Sequence, residues 1–292
     1  VTDFLQLVVS GTATGACYAL AALAFTLLWQ ASGTINFALG EMVMLPAFLM
    51  LFCLRTLDLP LAPAFLLTCI ASMLVLGWGF KKAVADPLIR HGVVPLVIAT
   101  LGLSTALKQT VRAGYSADVF TFPSIFPDTL LSIGGAKLSV AELGTLLVAG
   151  GVVLALQLFL SRTLTGRSMQ AVAQNRDAAA VLGINVERMV LYAFLVTALL
   201  AATSALLIAP TSLAKFDMGD TLGLKAFYAA IIGGFNQSRG ALLGGVLVGV
   251  LENLVGAYIS PGYKDGVALA LFLAVILFRP QGLLGTAEER RV

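Results

Sequence analysis

Charge is what this sequence most lacks: 18 basic and 15 acidic residues make up only 11% of its 292 positions, whereas 59% are hydrophobic. A water-soluble globular domain carries roughly a quarter charged residues and at most about half apolar ones, so that class is excluded. A mean hydropathy of +0.97 makes the bilayer the solvent. At roughly 20 apolar residues per crossing, the length allows on the order of eight membrane segments. Little chain remains for a soluble domain, so bulky aqueous machinery is expected on other chains.

Other scarcities narrow the field further. No run of like charge reaches the five or six residues of a binding tail, and the net charge is only +3, so no nucleic-acid partner is expected. The single histidine, His91, sits in a basic loop, and neither an H-E-x-x-H pattern nor a Ser-His-Asp set is apparent. An intramembrane enzyme would therefore lack a nameable nucleophile or metal ligand. Cys17, Cys53 and Cys69 lie in apolar runs, at spacings that fit neither a zinc site nor a C-x-x-C redox pair, and read as small core hydrophobes. The G-x-x-x-x-G-K-S/T phosphate loop is missing too, so energy from ATP would have to arrive through a partner. The first residues lack the basic stretch of a signal peptide, and the first apolar run is expected to remain as a span.

What is present is a series of apolar runs. Residues 4–29 supply a full crossing. A short run, 42–54, is followed by 59–80 after a turn carrying Arg55, Asp58 and Pro60. Further spans are expected at 93–107, extending toward Arg112 if Lys108 and Arg112 snorkel, at 138–160 and at 190–213. Two runs, 226–235 and 241–251, are individually too short and flank Asn236-Gln237-Ser238-Arg239-Gly240; they predict a broken or re-entrant element. The last run, 266–278, is closed by Arg279-Pro280. The fold expected is thus an all-α, polytopic membrane bundle forming one domain over residues 1–292, with short broken helices among its spans.

The basic residues set the orientation. Residues 81–91 carry Lys81, Lys82 and Arg90 against Asp86, and residues 162–188 carry Arg162, Arg167, Arg176 and Arg188 against Asp177 and Glu187. Both are expected in the cytoplasm, with the tail bearing Arg279, Arg290 and Arg291. Residues 113–137, with Pro123, Pro127 and Gly134-Gly135, then form the longest external connection, and their composition suggests a small hairpin. The N-terminus falls outside if residues 42–54 cross, and inside if they return.

Three polar features stand out. Residues 168–182 favour helix, Gly183 is placed as a left-handed C-terminal cap, and Asn185 can cap the next span with Glu187 in its first turn. A solvated connector is one reading; a short capped helix whose Ala178, Ala179 and Ala180 pack into a groove on a cytoplasmic partner is the other. Glu41 is flanked by apolar sequence, and a carboxylate at membrane depth must face a cavity or find a partner; alternatively it stabilises the N-terminus of the following helix. Asn36 could cap that helix or line a pore, and Phe37 and Gly40 share the segment. Around the predicted break, Gly233, Gly234 and Asn236 form a second pathway group, since non-helical backbone at depth must be buried or line a water-filled cavity. Gly11-x-x-x-Gly15, Gly240-x-x-x-Gly244 and Gly245-x-x-x-Gly249 read as helix-packing contacts.

These residues also carry a family resemblance. The run Asp177-Ala-Ala-x-x-x-Gly183 resembles the EAA loop of ABC-importer permeases, with Asp for the usual Glu. The chain as a whole resembles the LivH-type permeases of the branched-chain amino acid (hydrophobic amino acid uptake) ABC transporter family. The likeness rests on Tyr18-Ala-Leu, Ile35-Asn-Phe-Ala-Leu-Gly-Glu41, Arg176-Asp-Ala-Ala with Leu182-Gly-Ile-Asn185, and Lys225-Ala-Phe. It continues through Gly233-Gly-Phe, Gly240-Ala-Leu-Leu-Gly-Gly245, Gly262-Tyr-Lys-Asp265 and Phe278-Arg-Pro-Gln-Gly-Leu-Leu-Gly285. Leu39 departs from it, standing where members often carry His or Gln. The resemblance implies a bacterial inner-membrane permease subunit, not an enzyme and binding no cofactor itself. Its partners would be a LivM-like second permease or a second copy, two cytoplasmic ATPase subunits holding ATP and Mg, and an extracytoplasmic substrate-binding protein. Arg167, Asn175, Asp177, Ala178, Ala179, Leu182, Gly183 and Ile184 would then form the ATPase-coupling segment. The cargo implied is branched-chain or other amino acids, urea or amides, or small aromatic acids. An ion-coupled secondary carrier or channel is the alternative class.

Overall fold

The computed structural model of the chain describes residues 2–33, 35–89, 91–116, 118–123, 125–127, 129–133 and 136–285. Arg90, Gly134, Gly135, Arg290 and Arg291, used above for orientation and for the hairpin, lie outside the described residues. Among those described, seven helical rods are long and apolar enough to cross a bilayer. They contain α1 (Thr2–Ser32), α3 (Leu61–Ser72) continuing into α4 (Asp86–Ile89), α5 (Val93–Gly114), α6 (Val140–Arg162), α9 (Val186–Ser212), α11 (Ser238–Tyr258) and α12 (Lys264–Phe278). The rod from α3 to α4 winds through π-helical stretches at Met73–Gly79 and Lys81–Ala85. Two shorter helices, α2 (Leu39–Arg55) and α10 (Met218–Gly233), lie between the long ones, and α7 (Leu164–Gln174) and α8 (Arg176–Val181) fill the connection between α6 and α9.

Glycine builds the centre. A Cβ on Gly15 would stand 2.8 Å from the Gly245 carbonyl, one on Gly11 would stand 2.7 Å from Val250 Cα, and one on Gly245 or Gly249 would collide with the α1 backbone. The two backbones therefore touch along antiparallel α1 and α11, where van der Waals contact substitutes for the hydrophobic drive that lipid cannot supply. Gly240 and Gly244 let α11 approach α10 in the same way, against Gly233 and Ala229. A Cβ at any of the six glycines expected to pack helices would meet the backbone of a neighbouring helix. α9 fills the other side of α1 with Ala201, Ala202 and Ala205, all fully buried. α6 and α12 stand at the rim, with Leu147, Leu277 and Phe278 exposed, as suits surfaces facing lipid or another membrane chain.

Two ends can be told apart. One carries the antiparallel hairpin of β1 (Leu130–Ile133) and β2 (Ala136–Ser139), in register Leu130↔Ser139 to Ile133↔Ala136, where the sequence suggested one. The opposite, basic end carries α7, α8 and Lys81, the last paired with Asp86 at 2.7 Å and with Glu187 at 4.0 Å. α1 starts at the hairpin end, where Ser10 and Ser139 line one cavity, and finishes at the basic end, where the Arg176 guanidinium donates to the Ala31 carbonyl. α2 ends on the hairpin side: Arg55 donates to Thr121 O and its guanidinium lies 5.0 Å from the Phe120 ring. So α2 crosses rather than returns, which puts the N-terminus on the hairpin side.

Two expectations change. Residues 241–251 are not half of a broken element but part of the 21-residue α11; its glycines suppress apparent hydrophobic length while serving the close packing. Residues 168–182 are not one helix either. Asn175, extended at φ −157° and ψ 109°, ends α7 and accepts from Ala178 N–H at 2.9 Å to start α8, the side-chain cap that Asn favours.

Candidate functional site

α2 and α10 enter from opposite ends. Beyond α1 the chain turns at Gly33, then runs past α10, with the Phe37 and Phe227 rings 6.5 Å apart. The Asn36 side chain accepts from Ala38 N–H at 2.9 Å, turning the backbone into α2. On the other side, beyond α9, Ala214 bridges to Phe120 at the hairpin end before α10 begins. The first turns of the two helices then meet in antiparallel fashion. A Cβ on Gly219 would stand 2.7 Å from the Gly40 carbonyl, and one on Gly223 would stand 2.8 Å from Gly40 Cα. Each helix carries an acid as its third residue, Glu41 in α2 and Asp220 in α10, where the positive end of the helix dipole favours one.

A cavity of about 340 Å³ opens at this meeting point, lined by Asn36, Phe37, Leu39, Gly40, Glu41, Leu101, Ser104, Gly219, Asp220, Gly223, Leu224, Phe227, Tyr228 and Phe25. Four of the predicted pathway residues, Asn36, Phe37, Gly40 and Glu41, therefore share one wall. Glu41 is only 2% exposed, and the Ser104 hydroxyl donates to its carboxylate. One turn further along α5, the Lys108 ammonium lies 2.6 Å from Asp220 Oδ1. Lys108 thus does not snorkel, and Arg112 rests 5.4 Å over the Phe216 ring. Leu39, at the departing position, is buried and adds to the apolar wall.

The other pathway group is placed elsewhere. Gly233 packs on Gly240, and Gly234, at φ +118°, faces the tail residues Gly282 and Gly285. Leu283 N–H and Leu284 N–H donate to Ile232 O and Gly233 O, satisfying carbonyls at the end of α10. The Asn236 carbonyl accepts from Gln30, and Asn236 lines a small hollow with Gly33, Asn175 and Arg176. None of the three reaches the Glu41 cavity; Asn236 belongs to the neighbourhood of α7 and α8.

That neighbourhood is set by local chemistry. Thr163 caps α7 by accepting from Gly166 N–H at 2.9 Å, and Arg167 Nε donates back to Ser161 O at 3.0 Å. At the end of α8, Gly183 has φ +82°, its N–H reaches Ala180 O and Ile184 N–H reaches Ala179 O, the Schellman arrangement for which glycine is suited. Asn185 accepts from Arg188 N–H at 3.0 Å and starts α9. Ala179 faces inward, whereas Asp177, Ala178 and Gly183 are exposed. Beside them Leu164, Val181 and Leu182 are 84%, 88% and 79% exposed, apolar side chains presented on an otherwise polar projection.

A second polar centre was not anticipated from the sequence. Lys225 of α10 lies 3.0 Å from Glu252 of α11 and 3.0 Å from Asp265 of α12. The Tyr18 hydroxyl of α1 donates to the same Glu252 at 3.0 Å. These four residues tie four helices together beneath a cavity of about 460 Å³ at the hairpin end, to which Glu142 of α6 contributes. Asp220 and Lys108 were likewise missed. A signal did exist for Asp220: Phe37-Ala-Leu-Gly-Glu41 returns as Phe216-Asp-Met-Gly-Asp220, and each copy follows a long span and opens a short helix.

Comparison with known proteins agrees with this architecture. Residues 7–276 match the family described as branched-chain amino acid transport system / permease component. The high-affinity branched-chain amino acid transport system permease protein BraD of Pseudomonas aeruginosa is 32% identical, with 99% of this chain and 98% of that protein covered. The corresponding LivH protein of Escherichia coli is 30% identical over the same shares of both chains. A probable branched-chain amino acid transport permease protein LivH of Methanocaldococcus jannaschii is 26% identical, over 91% of this chain and 88% of its own length. With its family model matched from end to end of the helical bundle, this multi-pass inner-membrane chain belongs to the permease-component family of branched-chain amino acid transport systems.

Proposed function

We propose that the chain translocates hydrophobic amino acids as a permease subunit of an ATP-binding-cassette importer, driven by ATPase subunits that dock on α7 and α8. In this reading the basic end is cytoplasmic, as its lysines and arginines favour, and the hairpin end receives substrate from an extracytoplasmic binding protein. Two ATPases supply ATP and Mg, and a LivM-like permease or a second copy completes the membrane unit. The chain itself transports rather than catalyses and holds no cofactor.

The observation that carries the proposal is the α7–α8 projection. Three Asx or Thr caps and a Schellman turn fix its shape locally, while the side chains of its apolar tip, Val181 and Leu182, are 88% and 79% exposed. A rigid element with an unburied apolar tip fits a groove on a partner. Arg176 joins its base to the end of α1, so a push on α8 reaches Gly33 and the segment leading to Glu41. The Glu41 cavity lies where such motion would open or close a path between the two ends.

Co-purification with ATPase subunits, followed by ATP-dependent amino-acid uptake in proteoliposomes, tests this. Gly183→Trp, which removes the left-handed turn, and Asp177→Lys should each abolish assembly or uptake. Normal assembly and uptake in both variants would overturn the docking assignment.

A further inference from the structure

At the basic end, two cations stand beside the groove between the α3–α4 rod and α9. The rod presents Ile70, Leu74 and Trp78 at 55%, 58% and 49% exposure, followed by exposed Lys82. Residues at four-residue steps drift by about 40° per step on an α-helix of 3.6 residues per turn. The π-helical stretches at Met73–Gly79 and Lys81–Ala85 have wider turns, which offset that drift and keep the four side chains in one column. At its end the Lys82 ammonium lies 5.3 Å over the Trp78 ring, a cation–π contact that leaves its N–H donors to another partner. α9 packs beside this column: a Cβ on Gly77 would meet Leu195 Cδ2 at 3.0 Å, and the Phe80 and Phe194 rings are 5.8 Å apart. Arg188 precedes Leu195 by seven residues, about two turns, and so shares the face that Leu195 turns to the rod. Tyr192, 39% exposed, lies between them. The rod runs toward the basic end and α9 away from it, so Trp78 to Lys82 and Tyr192 to Arg188 both step from the bilayer toward its surface. Lys81, on the inner side of the same contact, is neutralised by Asp86 and Glu187. Among the described residues, Lys82 and Arg188 enter no ion pair.

We infer that this groove holds an anionic phospholipid, its phosphate between Lys82 and Arg188 and an acyl chain along Leu74 and Ile70. Cations at the end of an apolar column match a ligand with one charged end at the bilayer surface and its remainder in hydrocarbon. Trp78 and Tyr192 stand one turn deeper, at the headgroup level that amphipathic rings favour. The uncompensated charge is positive, so an anionic headgroup is attracted, whereas a zwitterionic one brings a positive group of its own. A protein packed over the column would bury both cations, which is costly unless it supplied acids to pair them. Held there, the lipid bridges the rod to the first turn of α9, directly after the α7–α8 projection. It touches none of the residues that line the Glu41 cavity, and the site does not depend on what the chain transports.

The experiment uses the full chain, with the subunits that co-purify with it, in proteoliposomes. Each preparation contains a trace of phosphatidylglycerol or phosphatidylcholine bearing a diazirine in one acyl chain, and the peptides labelled on irradiation are mapped by mass spectrometry. Peptides covering residues 70–82 and 188–196 should take phosphatidylglycerol at least about fivefold more than phosphatidylcholine at equal mole fraction. That preference corresponds to about 1 kcal/mol, the order that one basic residue contributes near a charged bilayer surface. Lys82→Gln combined with Arg188→Gln should bring the two lipids to parity while phosphatidylcholine labelling is retained, and Lys82→Arg combined with Arg188→Lys should keep the preference. Both pairs of substitutions alter exposed side chains, and retained phosphatidylcholine labelling shows that the groove itself persists. Equal labelling by the two lipids in the unsubstituted chain, or a preference that survives the double glutamine variant, overturns the inference. Labelling by neither lipid assigns the face to a protein neighbour and overturns it as well.

Discussion

Replacing Lys225 by methionine isolates the ion-pair network that joins α10, α11 and α12. At 3.0 Å from Glu252, the pair attracts by about 5 kcal/mol at an effective dielectric constant of about 20, and desolvation of two ions offsets most of that. The side chains of Lys225 and Glu252 are 12% and 6% exposed, so water does little to screen them. The second bridge, to Asp265, counts for less because that carboxylate is 73% exposed. Breaking a buried pair from one side leaves an uncompensated charge and costs about 3–5 kcal/mol, whereas replacing both members by apolar residues is often close to neutral. Lys225→Met and Glu252→Leu should therefore each destabilise by about 3 kcal/mol. The double variant should lose no more than about 1–2 kcal/mol, chiefly the Tyr18 hydrogen bond.

The assay follows from the same structure. Cys17, Cys53 and Cys69 are buried, so a thiol-reactive dye reports unfolding of the detergent-solubilised protein at a fixed scan rate. At roughly 2–4 °C per kcal/mol for a chain of this size class, each single substitution should lower the midpoint by about 6–12 °C and the double by less than either. If the network behaved as an ordinary interhelical contact in a membrane, worth about 0.6 kcal/mol, the singles would shift by only about 2 °C. Additive losses in the double variant would refute the reasoning outright, since coupling is the physical content of a buried pair.

Two further substitutions probe packing and transmission. Gly245→Leu would drive a side chain into the Ala19 backbone and should eliminate monodisperse protein on size exclusion, whereas Gly150→Leu, at a glycine with open space around it, should leave the yield within about twofold; equal behaviour would deny that α1 and α11 depend on backbone contact. Arg176→Met removes the guanidinium that holds Ala31 O and should lower uptake at least about tenfold while ATP hydrolysis by the assembled complex persists. Parallel loss of both activities would assign Arg176 to assembly instead of transmission.

The parts that were legible in the sequence are those governed by near neighbours. Capping is a matter of three or four residues, and so Gly183 and Asn185 were readable directly; Asn175, followed by Asp177, carried the same signal and was passed over inside a run of good helix formers. α11 was misjudged for the opposite reason. Gly240, Gly244, Gly245 and Gly249 weaken both propensity and apparent hydrophobicity, and only the presence of α1 and α10 across the interface makes them assets. Lys108 looked like a snorkelling residue because its partner, Asp220, lies 112 positions away. The Tyr18–Glu252 bond spans 234 positions, beyond any local pattern.

The recurring Phe-x-x-Gly-acid segment links these failures to function. α1 runs from the hairpin end to the basic end, α9 runs the other way, and each is followed by a turn into a short helix with an acid at its third position. The two halves are thus inverted copies in arrangement, and inversion is what brings both helix N-termini to one place inside the bilayer instead of leaving one at each surface. Glycine at 40, 219 and 223 permits the contact, and α5 crosses it with Ser104 and Lys108 on one face. A carboxylate in each first turn is stabilised by its own helix dipole, so Glu41 is tolerated at 2% exposure while Asp220, 49% exposed, pairs with Lys108 of α5.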